Sequence, residues 1–268
     1  MKILVLGDVM GLSGREAVKK YLPEIIEDNQ IDFSILNGEN AADDGKGITK
    51  EISEDFFSLG IDVITSGNHI WDKDETTRYI ENERRLLRPA NLVEGSPGKG
   101  FGIYLSKNKK YKIGVINLMG NVFMKKTNDV FDTAKDISKK IILKKNVDFS
   151  VIDFHGEITS EKMAMGYFFD GISTCFVGTH THVPTADTRI LENGTAYQTD
   201  IGMCGDYNSV IGMNKENSLK KFFKEKDAVK HFPSNGEGTL SGIIIEAEIE
   251  SGLAKKVSRI IKGGNLAK

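Results

Sequence analysis

The first 70 residues repeat one rhythm: a short β-branched run ends in Gly with a polar side chain, and an amphipathic stretch follows. Only a β-α-β-α succession satisfies it. Residues 3–6, 33–36 and 63–65 predict strands. Ser13 is placed to cap a helix through Ala17, Val18, Leu22 and Ile25 to about Asp28, with Pro23 as a kink, and Thr49 opens a second helix stopped by Gly60.

Beyond residue 100 the pattern changes. Residues 73–85 are highly charged and read as a solvated helix, while 102–105 and 112–117 flank a basic turn at 107–110 as a hairpin would. A second, more antiparallel half is expected from here. It contains an amphipathic helix over 129–145, a strand at 149–154, a helix over 159–169 capped by Thr159, and a strand at 174–177. Hairpins are expected around Asn193-Gly194 and Ser251-Gly252. With no internal repeat and no Pro-rich linker, residues 1–268 read as one domain of stacked sheets covered by helices.

Thirty-six basic against 38 acidic side chains leave a net charge of −2, so no basic field marks an extended nucleic-acid track. No apolar run approaches the roughly 20 residues that span a membrane, and residues 1–8 have too short an apolar stretch for a secretory signal. A cytoplasmic location is expected. Cys175 and Cys204 lack a CxxC spacing and read as reduced, buried thiols.

The polar residues at the strand ends are Gly7-Asp8, Gly38-Glu39-Asn40, Gly67-Asn68-His69, His155-Gly156-Glu157 and Gly178-Thr179-His180-Thr181-His182, and four of the five histidines fall in them. Each alone is a respectable turn. In an α/β architecture, however, ligands bind beyond the carboxyl ends of strands, so the five segments should converge. A single metal centre accounts for them jointly. His180 and His182, at i and i+2 on extended chain, would serve two metals ~3.5–4 Å apart, and Glu39 has the chemistry to bridge. P-loop, GxSxG and HExxH motifs are absent, and the glycines at 95–102 do not form a dinucleotide fingerprint.

In their order these five motifs resemble the calcineurin-like metallophosphoesterases, and within them the YmdB-type bacterial group, which is similar to this chain to its end. The resemblance implies a four-layer α-β-β-α sandwich of two mixed sheets flanked by helices. It further implies that Asp8 and His182 bind one metal, that Asn68, His155 and His180 bind a second, and that Glu39 bridges them. Two departures from the broad superfamily are Met10, where an imidazole is usual, and Glu39, where Asp is usual. Asn40 then substitutes as a ligand. Iron is the implied metal, with manganese accepted by related enzymes.

The implied activity is hydrolysis of 2′,3′-cyclic nucleotides, with 3′,5′-cyclic nucleotides as lesser substrates, by in-line attack of a metal-bridging hydroxide. His69, diverging from its neighbour Asn68, is expected to be the general acid. Phe123 is a candidate base contact, with an anchored core side chain as its alternative, and Trp71 reads as packing. The rival readings are a phosphatase or nuclease with the same centre, and a regulator that binds nucleotide or RNA. Exposed sheet edges suggest a homo-oligomer.

Overall fold

The structure, a computed structural model, describes residues 1–267. Two six-stranded sheets are stacked face to face. The first has the order β12-β11-β1-β2-β3, with β10 pairing with β1. Its strands are β1 (Lys2–Val9), β2 (Phe33–Asn37), β3 (Val63–Thr65), β10 (Met203–Cys204), β11 (Leu240–Ala247) and β12 (Ala254–Lys262). The second has the order β4-β5-β6-β7-β9-β8, from β4 (Phe101–Leu105), β5 (Lys112–Met119), β6 (Phe149–His155), β7 (Cys175–Thr179), β8 (Arg189–Ile190) and β9 (Ala196–Gln198).

Strand alternation dictates the layering. Ile3, Val5, Phe33, Ile35 and Val63 meet Val115, Phe149, Val151 and Val177 between the sheets. The intervening Leu4, Leu6, Leu36 and Ile64 point the other way, under α1 (Gly11–Asn29), α2 (Lys50–Ser58) and α3 (Asp74–Asn82). Ile116, Leu118, Ile152, Phe154 and Phe176 lie likewise under α4 (Val130–Ser138) and α5 (Thr159–Phe169). The result is the α-β-β-α sandwich, with strands apolar on both faces because both are covered. A sixth helix, α6 (Lys215–Phe222), follows β10.

Several local expectations are corrected. Ser13 lies inside α1, whose N-cap is Met10, and its hydroxyl donates to the Gly236 carbonyl at 2.8 Å. α1 runs through Pro23 to Asn29. Thr159 is the first residue of α5, after an N-cap at Ile158. Thr49, at the expected start of α2, is its N-cap and accepts from the Ile52 N–H, and Asp129 caps α4. α4 stops at Ser138 rather than near 145, and Asn146 closes the turn that follows by accepting from the Ile142 N–H. The second half is less antiparallel than its turn signals suggest. β5, β6, β7 and β9 are all parallel, with α4 returning the chain from β5 to β6 and α5 from β6 to β7; only the outer β4 and β8 run antiparallel. Cys175 and Cys204 are free and buried, and no helix among the described residues is long and apolar enough to cross a membrane.

Candidate metal centre

Parallel strands bring their carboxyl ends to a common edge, and registers align those ends. Asp8 stands opposite Asn37 and Asn37 opposite Thr65 in the first sheet, while His155 stands opposite Thr179 in the second. Asp8 is near the end of β1, His155 is the last residue of β6, and the other three segments are the turns after β2, β3 and β7. All five polar segments therefore open into one crevice.

Their side chains meet there. The His155 Nε2 atom lies 3.0 Å from Glu39 Oε1, 3.2 Å from Asn68 Oδ1 and 3.0 Å from His180 Nδ1. A ring nitrogen carries at most one proton, so it cannot serve three such neighbours by hydrogen bonding alone. Donor atoms of Glu39, His155 and His180 lie within 4.8 Å of one another, an arrangement that could hold a metal ion. Beside them, His182 Nε2 is 3.2 Å from Asn40 Oδ1. Asp8 accepts from the His180 N–H through Oδ2, whereas its Oδ1, fully buried, has no hydrogen-bond partner. The orphaned oxygen costs stability unless something cationic meets it.

Gly67 shows that the space is a cradle. A Cβ there would come within 2.2 Å of His155 Nε2 and 2.3 Å of Glu39 Oε2. Electrostatics ask for a positive charge at the same spot. Burial pushes the Asp8 carboxyl up to about 6 against the pull of His182 and His155. Burial also opposes the charged forms of Glu39 and His155, yet their mutual attraction wins, lowering Glu39 to about 2 and raising His155 to about 9. His180 falls to about 3, through burial and the facing His155. The donor set of carboxylates, imidazoles and carboxamides suits a divalent cation in place of that proton.

The His180-Thr181-His182 turn is not extended chain, contrary to the i, i+2 reading. Both histidines have left-handed backbone, with φ of 96° and 65°, which costs non-glycine residues about 1–3 kcal/mol each. Asp200 holds the strained turn: its Oδ2 accepts from the Thr181 N–H and hydroxyl and from Lys162 Nζ. The Ile211 carbonyl fixes His182 by accepting from Nδ1 at 2.8 Å. Asn68 and His69 lie in a turn too. The His69 N–H donates to Glu39 Oε2, and its ring Nδ1 lies 2.8 Å from Asp72 Oδ2.

A second set of residues, centred on an acid outside the five motifs, supports the centre. Asp153, buried between the sheets, accepts from Asn37 Nδ2 at 3.0 Å, from the Thr65 hydroxyl and from the Thr179 hydroxyl at 2.7 Å. Since Thr179 donates to Asp153, it is left to accept from His155 Nδ1 at 3.0 Å, which leaves Nε2 free to face the cluster. Thr179→Val should therefore weaken metal binding about 10–100-fold while the fold persists, measured by metal content against chelator; unchanged affinity would refute the orienting role. The only prior hint was an acid inside the apolar run of β6.

Phe123 is not an anchored core residue. It stands 86% exposed, at φ 60°, on a loop whose Lys125 donates to the Asn68 carbonyl at 2.6 Å and lies 3.7 Å from Asp72. Trp71 packs against the first core, as expected.

Two stacked mixed sheets with a buried histidine–carboxylate cluster at the strand ends define a metallophosphoesterase-like protein. A 5′-nucleotidase from Candida albicans has the same fold (TM-score 0.57, 12% identity, 99% of this chain and 52% of that one). The YmdB-like protein family model matches residues 4–260, and the chain belongs to that family of phosphodiesterases and phosphatases. It is 44% identical over 261 residues to the 2′,3′-cyclic-nucleotide 2′-phosphodiesterase of Bacillus subtilis, covering 97% of each. The crystal structure of a phosphatase from Mycoplasma pneumoniae superposes with a TM-score of 0.89 at 35% identity, covering 98% of this chain and 93% of that one.

Proposed function

We propose that the chain is a metal-dependent phosphodiesterase that opens 2′,3′-cyclic nucleotides, with 3′,5′-cyclic nucleotides as lesser substrates. The observation that carries this reading is the convergence of five strand-end segments on one crevice that contains an orphaned buried carboxylate oxygen and three donors around a cradle. The Bacillus relative's name supports the substrate class.

In this reading Asp8, Asn40 and His182 would hold one ion, Asn68, His155 and His180 would hold the other, and Glu39 would serve both. Iron is the proposed metal and manganese its substitute. When bound, two such ions supply Lewis acidity and activate water near neutral pH. The chain's own residues supply the rest. Water adds to phosphorus, the P–O2′ bond breaks, and His69 delivers the proton that the departing 2′ oxygen needs, leaving a 3′-phosphomonoester. Asp72 orients the His69 ring through Nδ1, and Lys125 anchors the loop that offers Phe123 to the base.

A panel of 2′,3′- and 3′,5′-cyclic nucleotides, simple phosphomonoesters and single-stranded RNA, assayed with iron or manganese, tests the proposal. Ring opening to the 3′-nucleotide is expected; activity on monoesters alone would overturn it. Phe123→Ala should raise KM for the cyclic nucleotide about tenfold, the worth of one stacked base, with kcat nearly unchanged. An unaltered KM would remove Phe123 from the site.

A further inference from the structure

One surface takes no part in this scheme. Residues 215–231 carry six lysines against three acids, in a chain whose net charge is −2. The same stretch ends α6 with Phe222 and follows it with Phe223, each 75% exposed. Neither ring packs into a core cluster among the described residues. Lys215 and Lys220 pair with Glu216 and Asp227, but Lys221, Lys224 and Lys230 make no ion pair among the described residues. Bare adjacent aromatics among unpaired cations mark a surface that something covers.

That surface begins at the proposed centre. The Ile211 carbonyl holds His182. Ser234 N–H donates to the Gly212 carbonyl at 2.8 Å and Asn214 N–H to the Phe232 carbonyl at 3.0 Å, lacing the two ends of the segment together behind that carbonyl. The eight residues of α6 then extend about 12 Å from there.

We propose that this surface binds single-stranded RNA, and that the substrates of the centre include RNA chains ending in a 2′,3′-cyclic phosphate; the second half rests on the cyclic-phosphodiesterase reading. The unpaired lysines complement a phosphate backbone, and the two phenyl rings offer stacking faces that accept any base. A second copy of this chain fits poorly, because a two-fold contact would press the lysine-rich face against itself. The contact is short, a few nucleotides, since the rest of the chain lacks a basic field. The chemistry of the substrate also fits. A 2′,3′-cyclic phosphate is the end an RNA chain acquires when its 2′-hydroxyl attacks the neighbouring phosphodiester and the downstream 5′ oxygen leaves with the proton. RNA cleavage by transesterification is thus the class of reaction that supplies the substrate.

The test compares a cyclic mononucleotide with a five-nucleotide RNA ending in the same cyclic phosphate, using metal-loaded protein, the double variant Phe222→Ala/Phe223→Ala and the double variant Lys221→Glu/Lys224→Glu. The wild type should show a KM for the pentamer about tenfold or more below that for the mononucleotide. Both variants and added salt should erase that advantage without changing the mononucleotide KM. Fluorescence anisotropy with a labelled pentamer ending in a 3′-phosphate reads binding without turnover. Equal KM values with no pentamer binding would overturn the proposal, as would variants that only convert a dimer to a monomer in sedimentation, or a wild type that binds anionic phosphatidylglycerol vesicles and ignores RNA. Pentamer binding lost in the variants, with neither cyclic substrate opened, would retain the RNA surface and overturn the hydrolase reading instead.

Discussion

Glu39→Gln should lower kcat by about 10³-fold, or about 4 kcal/mol of transition-state stabilisation, and should lower metal content below two ions per chain. The substitution keeps the size of the side chain and removes only its charge. In the structure that carboxylate does two things: Oε1 faces His155 Nε2 at 3.0 Å and Oε2 accepts from the His69 N–H at 3.1 Å. A glutamine offers a donor and an acceptor to the same two partners but cannot supply the negative charge that two cations would share. The loss should therefore appear in metal stoichiometry and in turnover together, with the melting temperature of the metal-free protein little altered. Two tightly held ions and a rate within tenfold of the wild type would remove Glu39 from the bridge.

Lys162→Met is expected to cost about 3–5 kcal/mol of stability, the penalty for leaving one member of a buried pair without its partner. Lys162 Nζ lies 2.7 Å from Asp200 Oδ2, and both side chains are almost wholly removed from solvent. Asp200 also accepts from the Gly202 N–H through Oδ1 and from Thr181 through Oδ2. Its stranded charge would thus sit directly behind the left-handed turn that presents His180 and His182. Chemical denaturation should show the loss in the midpoint, and metal affinity should fall with it. The double variant Lys162→Met/Asp200→Asn should recover much of the stability, because no uncompensated charge remains, but not the metal affinity, because Thr181 loses its anionic acceptor. A single variant as stable as the wild type would show that the pair contributes nothing net.

Both experiments turn on residues of different legibility. Glu39 announces itself in sequence, since Gly-Glu-Asn directly after a β-branched run is a local signal. So do Asp8, Asn68, His155, His180 and His182, and the register of parallel strands carried these local signals to a shared edge. Lys162 and Asp200 are 38 residues apart and fit no motif. Asp153 reads as an isolated acid in an apolar strand, and its role depends on Asn37, 116 residues away in the other sheet. The exposure of Phe123 was equally hidden, because whether a loop side chain faces a core or a crevice depends on what lies opposite.

Periodicity and strand-end chemistry by themselves determined the layered α/β architecture, the helix starts near Thr49 and Asp129 and the membership of the candidate ligand set, since each is written within a few consecutive residues. Tertiary structure decided that β5, β6, β7 and β9 run parallel, that Ser13 bonds Gly236 instead of capping α1, and that the two histidines after β7 sit in strained backbone braced by Asp200. These outcomes arise where segments distant in sequence press on one another, and a side chain's local preference yields there to the burial and pairing that packing imposes.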